Sequence, residues 1–163
     1  MSTVKKQIEI AVHLPNEPTA MGRLMASVAG CGAEVLAACS YCSYDNTVMM
    51  LVTDDAPRTL RALTVAGFDC RQDSVLLVEV PEKPGLAALL GAKLAAAGIH
   101  VLYSYSSISE NRREYVVFKT NDESRALCLL KVESLVHHLA AAKSWRPAAL
   151  ASLAEEDAER QAA

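Results

Sequence analysis

LPNEPTAMGRLMASVAGCGAEVL, residues 14–36, aligns without a gap on VPEKPGLAALLGAKLAAAGIHVL, residues 80–102. Pro15 stands against Pro81, Pro18 against Pro84, Leu24 against Leu90, Gly32 against Gly98, Val35 against Val101 and Leu36 against Leu102. Past one extra residue in the second copy, Thr53, Asp55, Arg58 and Leu60 stand against Thr120, Asp122, Arg125 and Leu127. The slip falls at Asp45-Asn46 against Asn111-Arg112, where a hairpin loop absorbs an added residue. An internal repeat decides the architecture before any single element is read. The chain is therefore expected to hold two copies of one unit, residues 5–74 and 75–132, followed by an Ala-rich tail over 133–163.

Working outward from the repeat, Ile8, Ile10, Val12 and Leu14 alternate with Gln7, Glu9, Ala11 and His13, the period of a half-buried strand. Pro18 suits a helix start, and Met21, Leu24, Met25 and Val28 share a helical face that ends near Gly30 and Gly32. A hairpin over 34–53, a helix over 56–66 closed by Gly67, and a strand over 68–73 complete the first unit. The order is βαββαβ, the ferredoxin-like unit with an antiparallel sheet and two helices on one face. The second copy repeats it through 76–80, 85–97, 99–109, 115–120 and a helix from about residue 122, but a helix over 133–145 is favoured where a fourth strand would fall. The fold class is thus α+β: two such units and a helical C-terminal tail.

Composition narrows the function classes. Among 163 residues, 16 Lys and Arg face 19 Asp and Glu, a net charge of −3. Nucleic acid and anionic membrane both select a local excess of positive charge, so neither is an expected partner. The start MSTVKKQIEIAVHL alternates polar with apolar residues, unlike a secretory signal, and no apolar run approaches the ~18 residues of a membrane span. The expected compartment is the cytoplasm, with the five cysteines reduced.

On these residues both copies resemble ACT domains, small regulatory modules that bind amino acids, and the chain as a whole is similar to a stand-alone tandem ACT protein over roughly residues 7–132. The resemblance implies an effector held by the loop that joins the first strand to the first helix, helped by the start of the second strand in a neighbouring unit. A helix N-terminus there presents free N–H groups, for which a carboxylate is a natural guest. Carried onto this sequence, the first loop is Asn16, Glu17, Pro18, Thr19 and Ala20, and the second Glu82, Pro84, Gly85 and Leu86. The second-strand contacts are Glu34 and His100. If the copies pack about a pseudo-twofold axis, Asn16 is expected to face His100 and Glu82 to face Glu34. The first pairing suits an α-carboxylate and an α-amino group, whereas two acids repel a carboxylate unless one is protonated. One working site is expected, centred on Asn16. Thr19 departs from the glycine that the family prefers and that Gly85 keeps, which leaves the second loop as an alternative site.

The remaining candidates read as structural. Cys39 and Cys42 fall within one strand, where residues three apart face opposite sides, and His137-His138 has no ligand partners at suitable spacing. No metal or cofactor is expected. No nucleophile elbow, phosphate loop or supported carboxylate pair appears, so no enzyme activity is expected. His13 is read as a solvated side chain or a ligand contact. Tyr41, Tyr44, Tyr103 and Tyr105 lie on the equivalent second strands, as an aromatic wall beside a ligand, at the seam between units, or in ordinary strand packing. The third strands, VMMLV from Val48 and YVVF from Tyr115, are apolar without alternation, which implies that both sheet faces are covered. Since two helices cover only one face, a homodimer is expected. The function read from the sequence is a non-catalytic sensor that binds a small effector, most simply an amino acid, between ACT domains. The alternative is an assembly module, a regulatory subunit of an enzyme of amino-acid metabolism with no small ligand.

Overall fold

The computed structural model describes residues 3–43, 46–82, 85–109 and 111–131. In chain order these form β1 (Thr3–Pro15), α1 (Ala20–Gly30), β2 (Val35–Ser43), β3 (Asn46–Thr53), α2 (Ala56–Val65), β4 (Asp69–Pro81), α3 (Leu86–Ala96), β5 (Val101–Ile108), β6 (Arg113–Thr120) and α4 (Glu123–Lys131). The βαββαβ order expected of the first unit is present, and the second repeats it through α4. The expected tail, with His137 and His138, lies outside the described residues.

The six strands form one antiparallel sheet in the order β2-β3-β1-β4-β6-β5. The two short strands expected over 68–73 and 76–80 are a single strand, β4, so the boundary expected after residue 74 lies inside it. Its first half completes unit one and its second half opens unit two. Thr3–Gln7 of β1 pairs in turn with Val75–Glu79, and so occupies the place beside β4 that a fourth strand of the second unit would take. Ile8 and Ser74, partners in this ladder, are also equivalent in the repeat, so a local twofold axis passes between them.

Strand alternation sends Ile10, Val12 and Leu14 of β1 and Met49 and Leu51 of β3 to the helix side, where they pack with Leu24 and Val28 of α1 and Leu63 of α2. In the second unit Leu76, Val78, Val116 and Phe118 are buried, as are Leu86, Leu90 and Leu94 of α3 and Leu130 of α4. Met25, placed by periodicity on the buried face of α1, lies at its edge and is 36% exposed.

The other face is covered as well, but from within the chain. The sheet curls until its two ends meet, β2 against β5, with the Ala38 N–H donating to Ser107 Oγ at 3.4 Å. Ala37, Val52, Val75, Leu77 and Val117 form a second core inside the curl, joined by Leu36, Tyr105 and Tyr115. The unbroken apolar third strands, from which a homodimer was expected, thus have an intramolecular cover.

Candidate functional site

The first loop is built as its sequence suggests. Asn16, Glu17, Pro18 and Thr19 are exposed; the Glu17 N–H donates to the Pro15 carbonyl at 2.7 Å and the Ala20 N–H to the Glu17 carbonyl at 3.0 Å. Ala20 is buried beneath them. In the second loop the Glu82 N–H donates to the Arg112 carbonyl at 2.9 Å, and its carboxylate accepts from Arg112 Nε at 3.0 Å. Leu86 is buried; Pro84 lies outside the described residues. The caps differ in backbone: Gly85 has φ +83°, open to glycine but strained for other residues, whereas Thr19 at φ −88° needs no glycine.

These two helix starts contrast with the other two. Asp55 caps α2 by accepting from the Arg58 N–H at 2.9 Å, and Asp122 caps α4 by accepting from the Arg125 N–H at 3.0 Å. The repeated Thr-x-Asp-x-x-Arg match is therefore a pair of N-caps. Neither Thr19 nor Gly85 caps its helix through a side chain, and neither helix has an acid in its first turn. Apart from the Ala20 N–H, which the Glu17 carbonyl accepts, the first-turn N–H groups of α1 and α3 have no side-chain cap.

Glu34 and His100 occupy equivalent places just before β2 and β5. The Glu34 N–H donates to Asp54 Oδ1 at 2.8 Å and the His100 N–H to Asn121 Oδ1 at 3.0 Å, with the Asp54 and Asn121 N–H groups returning bonds to the Glu34 and His100 carbonyls. Both side chains are exposed. Among the described residues no hydrogen bond or ion pair directly joins Asn16 to His100 or Glu82 to Glu34.

A second constellation lies inside the curl. Glu9, 1% exposed, accepts from the Tyr103 hydroxyl at 2.6 Å and the Tyr105 hydroxyl at 2.7 Å. Burial, and then the hydrogen bond to Glu9, raise both phenols well above the usual tyrosine range, which keeps them donors. Beside Glu9 opens a cavity of about 340 Å³, floored by Ala11, Val48 and Met50, walled by Tyr41 and Tyr103, and edged by His13, Arg71 and Asp73. Asp73 accepts from Lys119 Nζ at 2.6 Å. The expected roles of Tyr103 and Tyr105 thus resolve into anchors for a buried acid, while Tyr44 lies outside the described residues. Alternation assigned Glu9 to the polar side of a strand; its position opposite Val75 in the repeat was the signal that it differs. Cys39 and Cys42 take opposite faces of β2, opposite Met50 and Thr47.

No family model and no curated protein matches the chain. Solved structures do. A protein from Bacteroides thetaiotaomicron superposes with a TM-score of 0.68 at 22% identity, over 78% of this chain and 88% of that one. The regulatory subunit of aspartate kinase from Thermus thermophilus, in its ligand-free form, matches with a TM-score of 0.57 at 17% identity, over 81% and 97% of the two chains. That from Thermus flavus matches with 0.56 at 18%, over 79% and 94%. The chain has the tandem ACT fold. At these identities the likeness is one of fold, and the ACT neighbours named are regulatory subunits. Among the described residues, no helix is long and apolar enough to cross a membrane.

Proposed function

We propose that the protein is a non-catalytic, cytoplasmic regulator that binds an amino acid at its ACT loops and signals through a change in how ACT units associate. The observation that carries this reading is the division among the helix starts: α2 and α4 are closed by their own aspartates, while α1 and α3, which follow the candidate loops, have no side-chain cap. A helix N-terminus without its own acceptor favours an anion such as an α-carboxylate. The regulatory subunits of aspartate kinase share the fold and support a regulatory role. We place the site that uses both Asn16 and His100 between two copies of the chain. Leu102 and Ile108, 61% and 60% exposed on β5, offer apolar surface for such a homodimer. An effector shifts association only by its differential affinity for the two arrangements.

The test is a thermal-shift screen of the twenty amino acids followed by calorimetry. At least one amino acid is expected to raise the melting temperature, since binding the folded state alone stabilises it. Asn16→Ala is expected to weaken that binding by roughly tenfold, the scale of one lost hydrogen bond to a charged group. Undiminished affinity in the variant overturns the assignment of the first loop, and no shift with any of the twenty favours the assembly module.

A further inference from the structure

The repeat permits a comparison inside one molecule. Around the local twofold, Glu9 corresponds to Val75, Ala11 to Leu77, Val48 to Tyr115 and Tyr103 to Ala37. On one side of the axis Val75, Leu77, Ala37 and Tyr115 pack as core. On the other the same backbone positions carry a buried acid, small aliphatic residues and a tyrosine, and a cavity opens between them. The fold therefore does not require Glu9, since an equivalent strand position is filled by valine. Burying a carboxylate is unfavourable unless it is hydrogen-bonded, and two tyrosines are committed to it.

The cavity's chemistry has two poles. Arg71 makes no hydrogen bond or ion pair with any described residue, although it edges the cavity. At the other pole Glu9 accepts one bond at each oxygen, which leaves a lone-pair direction free on each, and Asp73 stands beside it with its Oδ1 held by Lys119 Nζ and the Ser74 N–H. Between the poles Val48 and Met50, each 8% exposed, make an apolar floor with Ala11. A volume of about 340 Å³ is at the small end of ligand clefts, which run from roughly 300 to 1,000 Å³.

We infer that this cavity is a second binding site, separate from the ACT loops, for a compact zwitterionic amino acid with an aliphatic side chain. Its carboxylate meets Arg71 as a charge-assisted pair, its ammonium meets Glu9 and Asp73, and its side chain lies on Ala11, Val48 and Met50 against Tyr41. One site thus reads both ends of the zwitterion, and the tyrosines hold Glu9 in position.

The experiment is amide NMR of the full chain titrated with three probes: L-leucine, 4-methylpentanoate, which lacks the ammonium, and 3-methylbutylamine, which lacks the carboxylate. Leucine is expected to shift the amides of Ala11, Met50 and Arg71 and to leave Asn16, Glu17 and Thr19 unmoved. Each half-analogue, and leucine with the Arg71→Gln variant, is expected to bind at least about tenfold more weakly, the scale of one lost charge-assisted hydrogen bond. Tyr41→Ala, also at an exposed position, is expected to weaken leucine as well. Shifts centred on Asn16 to Thr19 with silent cavity amides overturn the inference and leave the loop reading standing. Equal affinity in Arg71→Gln, or silent cavity amides with all three probes, overturns it too.

Discussion

Thr53 and Thr59 share a hydrogen bond of 2.9 Å between buried hydroxyls. Their repeat equivalents are Thr120 and Ala126, and the Thr120 hydroxyl is buried without a partner among the described residues. An unpaired buried hydroxyl is unfavourable, so Thr120→Val is expected to stabilise the protein by about 1 kcal/mol, whereas Thr53→Val removes a made hydrogen bond, although Thr59 keeps its own to the Asp55 carbonyl at 2.9 Å, and is expected to destabilise it by about 1 kcal/mol. Urea denaturation midpoints measure both, and a loss of stability in Thr120→Val refutes the account. The same logic applies to Glu9. Tyr105→Phe leaves a buried carboxylate oxygen short of a donor and is expected to lower stability by about 1–3 kcal/mol. Combining it with Tyr103→Phe and Glu9→Val, on the pattern of Val75, is expected to restore much of the loss. If the triple variant is less stable than Tyr105→Phe alone, the acid is not the origin of the effect.

Between elements, Lys119 of β6 joins β4 and α4, donating to Asp73 at 2.6 Å, to the Ser74 carbonyl at 2.8 Å and to Glu123 at 2.9 Å. Burial by itself pushes the Glu123 carboxyl up, but hydrogen bonds from Lys119 and Ser74 and the nearby lysine charges bring it below its ordinary value. A carboxyl with a lowered folded-state pKa adds stability above its unfolded value of about 4.5, and that stability is lost as pH falls through the folded value. Lys119 is shifted up: burial opposes the charge, and the hydrogen bonds to Asp73 and Glu123 outweigh it, so its contribution is lost only as pH rises through the lysine range. Glu123→Gln is therefore expected to flatten the fall of melting temperature below pH 4.5, and an unchanged acid limb counts against the link. The fused strand gives a further expectation. Removing residues 3–7 strips Val75–Glu79 of its β1 partner and is expected to lower the melting temperature sharply, although the aligned stretches 14–36 and 80–102 are untouched.

For the whole molecule, the curl decides which apolar surface remains for association. Because Val52, Val117 and their neighbours are covered within the chain, the dimer proposed above rests on β5 instead of on the third strands. Leu102→Lys with Ile108→Lys is expected to give a monomer by light scattering where the unaltered chain gives a dimer; an unaltered chain that is itself monomeric at micromolar concentration refutes the dimer. The repeat, the element order and the helix start after each Pro-containing loop were legible in the sequence, because they depend on local periodicity, turn chemistry and residues a few positions apart. The fusion of two strands into β4, the use of Thr3–Gln7 beside it, and the curl that buries Glu9 under two tyrosines more than ninety residues away were not. These depend on which edge closes on which, a choice made by long-range packing. Alternation along β1 records only that Glu9 faces away from the helices; that this side becomes an interior follows from the meeting of β2 and β5.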